Sequence, residues 1–269
     1  MTQRQPIGVF DSGVGGLSVA KEIRRLLPLE DLIYYADSAY CPYGEKDPEL
    51  IRQRERTIVE FLLSKGAKLI VVACNTASSA GLEELRKLFT VPIVGMEPGV
   101  KPAVAATRSG KIGVLATGVT IAGDRFASLV KRYAENTKVI TQPCPGLVEL
   151  IEYGKLEEPE TEEVLKGFLR PMLEQGADTI VLGCTHYPFL RPMIEQLAGP
   201  GISVIDTGAA AAKQVSRVLD ENDLAVKEGP PGTEQFFTSG NQDEVEKVFR
   251  TLWIRDNIQV KSLPLNTSK

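Results

Sequence analysis

The sequence predicts an α/β protein made of two pseudosymmetric α/β domains, with mainly parallel sheets and an active site in the cleft between them. Three observations predict it. Short apolar runs bounded by turn signals alternate with amphipathic stretches, the pattern of βα units around a parallel sheet. The stretch Val71-Val72-Ala73-Cys74-Asn75-Thr76 has a twin, Val181-Leu182-Gly183-Cys184-Thr185-His186, 110 residues further on (positions 74 and 184). The match extends upstream, where Gly66-Ala67 corresponds to Gly176-Ala177 at the same offset. Finally, Ile7-Gly8-Val9-Phe10-Asp11-Ser12-Gly13-Val14 matches Ile112-Gly113-Val114-Leu115-Ala116-Thr117-Gly118-Val119, 105 residues on. Both repeats keep their order, so each half presents one cysteine at a strand end.

Taken in order, residues 7–10 read as a strand, 11–16 as a glycine-rich turn, and 17–27 as a helix stopped by Pro28. Residues 32–36 form the next strand, ending at Asp37, and Cys41-Pro42-Tyr43-Gly44 is a loop. Residues 48–64 read as a helix, and the Cys74 strand follows. A helix over 78–89 and a strand over 91–95 lead to Glu97-Pro98-Gly99, a domain crossing. The second half repeats the scheme: strand 112–116, helix 121–135, strand 138–141, a short helix at 147–153, helix 160–175 and the Cys184 strand. A helix near 189–198 and strand 202–205 end it at Asp206-Thr207-Gly208. The tail carries helix 209–220, strand 234–238 and helix 242–253. It has no counterpart late in the second half and is expected back on the first. The expected domains are therefore 1–97 with 207–269, and 98–206.

Composition bounds the function. The 269 residues carry a net charge of −4, a pI of about 5.4 and 43% hydrophobic residues. No basic stripe is present, which argues against nucleic acid. No apolar run reaches the ~20 residues of a membrane span, and the start shows no signal-type apolar region. Four cysteines, at 41, 74, 144 and 184, do not make a disulfide framework in a chain of this length. An intracellular, reduced protein is expected.

Residues 11–16 invite a dinucleotide reading, with Gly13 and Gly15 in place and Asp37 ending the second strand. Ser18 stands where the third glycine belongs, and Asp11 puts a carboxylate where a pyrophosphate needs neutral amides. A tight strand–helix turn with Asp11 and Ser12 facing a ligand fits better. A buried cysteine alone is usually a small hydrophobe. Two at matched strand ends, on the edge where open parallel sheets bind ligands, read as reactive thiols. Cys41 and Cys144 precede prolines, lack the twin pattern, and read as incidental. With one histidine and no Cys-x-x-Cys pair, a metal site has little support. That histidine, His186, lies two residues after a candidate thiol and is the best acid–base group in the chain. Its twin position is Thr76, and that of Asp11 is Ala116. Two opposed thiols without a cofactor suit inversion of a carbon acid: one removes a proton from one face, the other returns one to the opposite face.

Asp-Ser-Gly-Val-Gly-Gly at 11–16, Pro-Tyr-Gly at 42–44, Ala-Cys-Asn-Thr-Ala-Ser at 73–78 and Gly-Cys-Thr-His-Tyr-Pro at 183–188 closely resemble the bacterial glutamate racemases of the aspartate/glutamate racemase family. The resemblance runs from residue 7 to about 253. It implies a cofactor-independent, cytoplasmic isomerase interconverting L- and D-glutamate and supplying D-glutamate for peptidoglycan, in a family where homodimers are common. It implies Cys74 and Cys184 as catalytic, with Asp11, His186 and Glu152 assisting. Glu149 competes with Glu152 as the acid behind the histidine. Substrate contacts are implied at Asp11, Ser12, Pro42, Tyr43, Gly44, Asn75, Thr76, Thr117, Thr120, Thr185 and His186. The resemblance gives Cys184 the L-enantiomer and Cys74 the D-enantiomer. An aspartate racemase on the same scaffold, a redox-switched sensor and a nicotinamide enzyme are the rival readings.

Overall fold

The computed structural model describes residues 4–253 and 258–265. Among them, β1 (Ile7–Asp11), β2 (Leu32–Ala36), β3 (Leu69–Val72) and β4 (Ile93–Gly95) form the core of one sheet. β5 (Lys111–Ala116), β6 (Lys138–Pro143), β7 (Thr179–Leu182) and β8 (Ser203–Ile205) form the other. β9 (Glu234–Thr238) and β10 (Val260–Ser262) extend the first sheet at its β2 edge. The orders are β10-β9-β2-β1-β3-β4 and β6-β5-β7-β8, and every pairing is parallel. The run β2-β1-β3-β4 is thus reproduced, strand for strand, by β6-β5-β7-β8. The sequence duplication is a duplication of topology, and the fold is the expected pair of α/β domains. Strand 234–238 joins β2, as the reading of the tail requires.

Register shows the duplication at single residues. Gly8 sits between Ile33 and Ile70, and Gly113 between Ile140 and Ile180. A Cβ on Gly8 would press on Leu62, and one on Gly113 on Met172. Leu62 and Met172 are themselves equivalent, on helices Pro48–Ser64 and Pro159–Glu174. Each glycine lets a covering helix approach its sheet closely, so both are fixed by packing. The central strands β1, β3, β5 and β7 are buried along essentially their whole lengths, as parallel strands covered on both faces must be.

Three expectations change. The helix expected at 78–89 starts earlier and is split, into Asn75–Ala80 and Leu82–Leu88. Gly81 breaks it with φ −136°, and the Glu55 carboxylate fills the space where a Cβ would stand. The helix expected at 121–135 is likewise split, into Gly118–Ala122 and Asp124–Tyr133, by extended backbone at Gly123. Helix Val100–Ala106 was hidden by Pro98, Gly99 and Pro102. Pro102 lies in its first turn, where the backbone N–H has no intrahelical partner to lose. The expected first domain includes residues 1–3, 254–257 and 266–269, which lie outside the described residues.

Candidate active site

Cys74 follows β3, after Ala73 closes the ladder by donating from its N–H to the Phe10 carbonyl (2.8 Å). Helix Asn75–Ala80 begins at once, and the Cys74 Sγ accepts from the Ala77 N–H at its first turn (3.5 Å). Cys184 follows β7 the same way, with Gly183 N–H donating to the Leu115 carbonyl (2.7 Å). Here the two halves diverge. A 3₁₀ turn, Tyr187–Leu190, comes first, and the α-helix starts only at Arg191. Pro188 and Pro192 withdraw two N–H donors from this stretch. The thiols share a strand end but not a cap.

Both are enclosed: Cys74 is 4% exposed and Cys184 7%. Burial pushes the Cys74 thiol well above its ordinary range, and the Asp11 charge adds to this, so Cys74 rests as a protonated acid. Its remaining hydrogen-bond neighbour is the Ser12 hydroxyl, at 3.8 Å. Beside Cys184, the His186 Nδ1 lies 3.7 Å from Sγ, and Nε2 lies 2.6 Å from Glu152 Oε1. Burial pulls the imidazole down. The hydrogen bonds with Cys184, Cys41 and Glu152 outweigh this and hold His186 well above 6.5, as an imidazolium. Of the two acids considered, Glu152 is the one against the histidine.

The halves interlock around these thiols. Glu152 Oε1 also accepts from the Val14 N–H (2.6 Å). The Thr185 hydroxyl donates to Asp11 Oδ2 (3.1 Å), while Gly13 N–H donates to Asp11 Oδ1 (2.9 Å). Ser18 Oγ donates to the Thr185 carbonyl (2.8 Å). Thr76 and Thr117 hydroxyls meet at 2.9 Å, and Thr117 in turn donates to Thr120 at 3.0 Å. Gly13 and Gly15 are explained here. A Cβ on the first would collide with Glu152, and one on the second with His186. The dinucleotide reading of this turn falls: two of its amides are already taken, by Asp11 and Glu152, and Asp37 is locked elsewhere. Asp37 receives the Arg54 guanidinium in two hydrogen bonds (2.9 and 2.7 Å) and the Tyr43 hydroxyl (2.6 Å). All three side chains are buried, and they anchor the Pro42-Tyr43-Gly44 loop, whose Gly44 lies close against Thr117.

All the residues named from sequence therefore gather at this interface, with one refinement. Asp11 makes no hydrogen bond to Cys74 among the described contacts; it acts on that thiol through charge and bonds Thr185 on the opposite half. Asn75 is buried, and its Nδ2 has no hydrogen-bond partner among the described residues, a donor available to a ligand. Burial raises the Asp11 carboxyl, against the pull of His186. The sequence reading set aside Cys41. Its Sγ lies 4.0 Å from Ser12 Oγ and within 4.8 Å of ligand atoms of Glu152 and His186. The available signal was its place directly before the Pro-Tyr-Gly loop.

Two related α/β domains thus meet at two buried cysteines with different neighbours, and comparison with known proteins places this arrangement among the racemases. Residues 7–215 match the model of the Asp/Glu/Hydantoin racemase family. The glutamate racemase of Pseudomonas entomophila (strain L48) is 54% identical over 261 residues, covering 97% of this chain and 98% of that protein. The Escherichia coli glutamate racemase, solved with L-glutamate and the activator UDP-MurNAc-Ala, is 34% identical with a TM-score of 0.86, covering 97% of this chain and 99% of that one. The Francisella tularensis glutamate racemase, solved with D-glutamate, is 28% identical with a TM-score of 0.85, covering 98% and 99%. The chain belongs to the aspartate/glutamate racemase family, in its glutamate racemase group.

Proposed function

We propose that this chain interconverts L- and D-glutamate with Cys74 and Cys184 as the two proton carriers and without a cofactor. The observation that carries the reading is the pair of buried cysteines at equivalent strand ends, one a protonated thiol and the other beside an imidazolium. In one direction Cys184, as thiolate, takes the α-proton and leaves a planar carbanion. Cys74 then gives its S–H proton to the opposite face, and the enantiomer results. Imidazolium His186, oriented by Glu152, stabilises the Cys184 thiolate before this step and exchanges its proton in the return direction. Asn75 and the Thr76–Thr117–Thr120 hydroxyls are the donors we assign to the substrate carboxylates, with Ser12, Thr185 and the Pro42–Gly44 loop completing the enclosure. Asp11 is the acid we assign to the substrate ammonium, whose charge offsets the cost of burying a carboxylate there.

In this reading the two domains are 1–97 with 207–269, and 98–206. This division is supported by β1–β4 with β9 and β10 in one sheet and β5–β8 in the other. We further assign the product to peptidoglycan synthesis in the cytoplasm by a homodimeric enzyme. The support is the resemblance together with the finding that no described helix is long and apolar enough to cross a membrane.

The test is incubation of purified, dialysed protein with L-glutamate and, separately, L-aspartate while optical rotation is followed. Loss of rotation with glutamate in the presence of a chelator is expected. Preferential turnover of aspartate, or activity that returns only with added metal or pyridoxal phosphate, would overturn the proposal.

A further inference from the structure

We propose that Cys41, Glu152 and His186 form an inhibitory site for a thiophilic divalent cation, with zinc as the fitting ion. Three different donors converge: a thiol from the loop after β2, a carboxylate from helix Leu147–Glu152, and an imidazole from the turn after β7. One ligand atom from each lies within 4.8 Å of the others. Zinc takes sulfur at about 2.3 Å and nitrogen or oxygen at about 2.0–2.2 Å, so a tetrahedral site needs donors roughly 3.3–3.7 Å apart. An edge at the 4.8 Å limit would have to shorten by about 1 Å, and the 2.6 Å His186–Glu152 contact to open by a similar amount. Three protein donors with one open position are the pattern of an accessible zinc site rather than a closed structural one.

A second observation concerns access to two of the three donors. A cavity of about 670 Å³ opens against Cys41 and Glu152, and its walls carry Glu149, Glu152 and Glu244 against the single ammonium of Lys247. A cation is drawn to such a lining, to which neither Cys74 nor Cys184 contributes.

The chemistry balances without redox change. The Cys41 S–H bond breaks, its proton goes to solvent, and a sulfur–zinc bond forms. His186 gives up a proton as well, because only neutral imidazole ligates. On the reading under Proposed function, this removes the charged partner of Cys184 and stops racemisation.

The experiment has two arms. In the first, free zinc is titrated against racemisation by wild type, Cys41→Ser and the control Cys144→Ser, each relative to its own zinc-free rate. Wild type and Cys144→Ser should be inhibited reversibly, with EDTA restoring the rate, and Cys41→Ser should need at least ~10-fold more zinc. In the second, Co²⁺ is added to the same proteins without substrate. One equivalent per chain should give a sulfur-to-cobalt charge-transfer band that Cys41→Ser loses and Cys74→Ala keeps. This arm reads the site even in a protein that does not racemise. Equal zinc sensitivity of Cys41→Ser and wild type, a cobalt band that survives Cys41→Ser, or neither inhibition nor cobalt binding at millimolar metal would each overturn the proposal.

Discussion

The Cys74 and Cys184 halves share a scaffold and differ in their proton equipment. Their strand orders match, their crowded glycines Gly8 and Gly113 match, and their thiols sit one residue past equivalent ladder closures. Around the thiols they part. Burial and the Asp11 charge keep Cys74 protonated, against a helix amide and the Ser12 hydroxyl, whose hydrogen bonds favour the thiolate. Cys184 has an imidazole held charged, against burial, by its hydrogen bonds with Cys184 itself, Cys41 and Glu152. On the proposed mechanism, duplication supplies symmetric geometry for two faces of one carbon, while local substitutions set one thiol up as donor and the other as acceptor. The difference continues behind the site. Asp37 follows the last paired residue of β2 and anchors Tyr43 and Arg54, whereas Cys144 follows the last paired residue of β6, its thiol pushed up to about 12 by burial.

The largest break in the comparison comes from removing either thiol. Cys74→Ala and Cys184→Ala should each lower kcat for racemisation by ~10²–10⁴-fold, the contribution of a positioned acid or base. A loss from only one of them, measured by circular dichroism from both enantiomers, would leave the other thiol without a role.

Removing the helper of one half should be milder and lopsided. His186→Asn deletes charge-assisted contacts of about 1.5–3 kcal/mol, or roughly 10–100-fold. Because the equilibrium constant of racemisation is one, kcat/KM must fall equally in both directions. The asymmetry belongs in kcat and KM separately, with the larger kcat loss where Cys184 removes the proton. Glu152→Gln should follow the same pattern. Matching changes in both kcat values would contradict the assignment of His186 to one thiol.

Anchoring on the first half can be tested through stability and substrate affinity together. Arg54→Ala leaves Asp37 charged and buried, a loss of ~3–5 kcal/mol. Arg54→Lys keeps the charge but not the two-pronged contact, so the Pro42–Gly44 loop loosens. It should raise KM more than it lowers kcat, and unchanged KM would detach this network from the substrate.

The smallest effect concerns a slot the halves fill differently. Glu55 and Leu165 occupy equivalent positions on the covering helices, and both are fully buried. Neither Glu55 oxygen has a hydrogen-bond partner among the described residues, and burial pushes its carboxyl well above 4.5. The folded state therefore holds the proton more tightly than the unfolded chain. Stability from this group is full below about pH 4.5 and is lost as pH rises through the folded value. Glu55→Gln should match wild type near pH 4.5 and exceed it increasingly towards pH 8. Each 1 kcal/mol gained corresponds to about 2–4 °C in Tm. A Tm difference that does not change with pH would mean that Glu55 is not the titrating group.

Much of this arrangement was legible in the sequence because buried parallel strands and duplicated turns leave local patterns. The cysteines, Asp11 and His186 could be singled out from strand-end position alone. The family resemblance extended the set to Glu152 and the threonines. What stayed hidden depends on contacts distant in sequence. Gly13 and Gly15 read as a tight strand–helix turn, but that they make room for Glu152 and His186, from the other half, was not legible. Cys41 looked incidental because Glu152 and His186 lie more than a hundred residues away. The splits at Gly81 and Gly123 were invisible because an isolated glycine in a helical pattern is usually tolerated.

The central claim, that each thiol serves one face, is tested most directly by solvent exchange. The single mutants are incubated in D₂O with each enantiomer, and α-deuterium is followed by proton NMR. Cys184→Ala retains Cys74 and should wash deuterium into D-glutamate without forming L-glutamate. Cys74→Ala should do the reverse, into L-glutamate only. Exchange into both enantiomers by either single mutant would mean that one thiol reaches both faces, and would contradict the account.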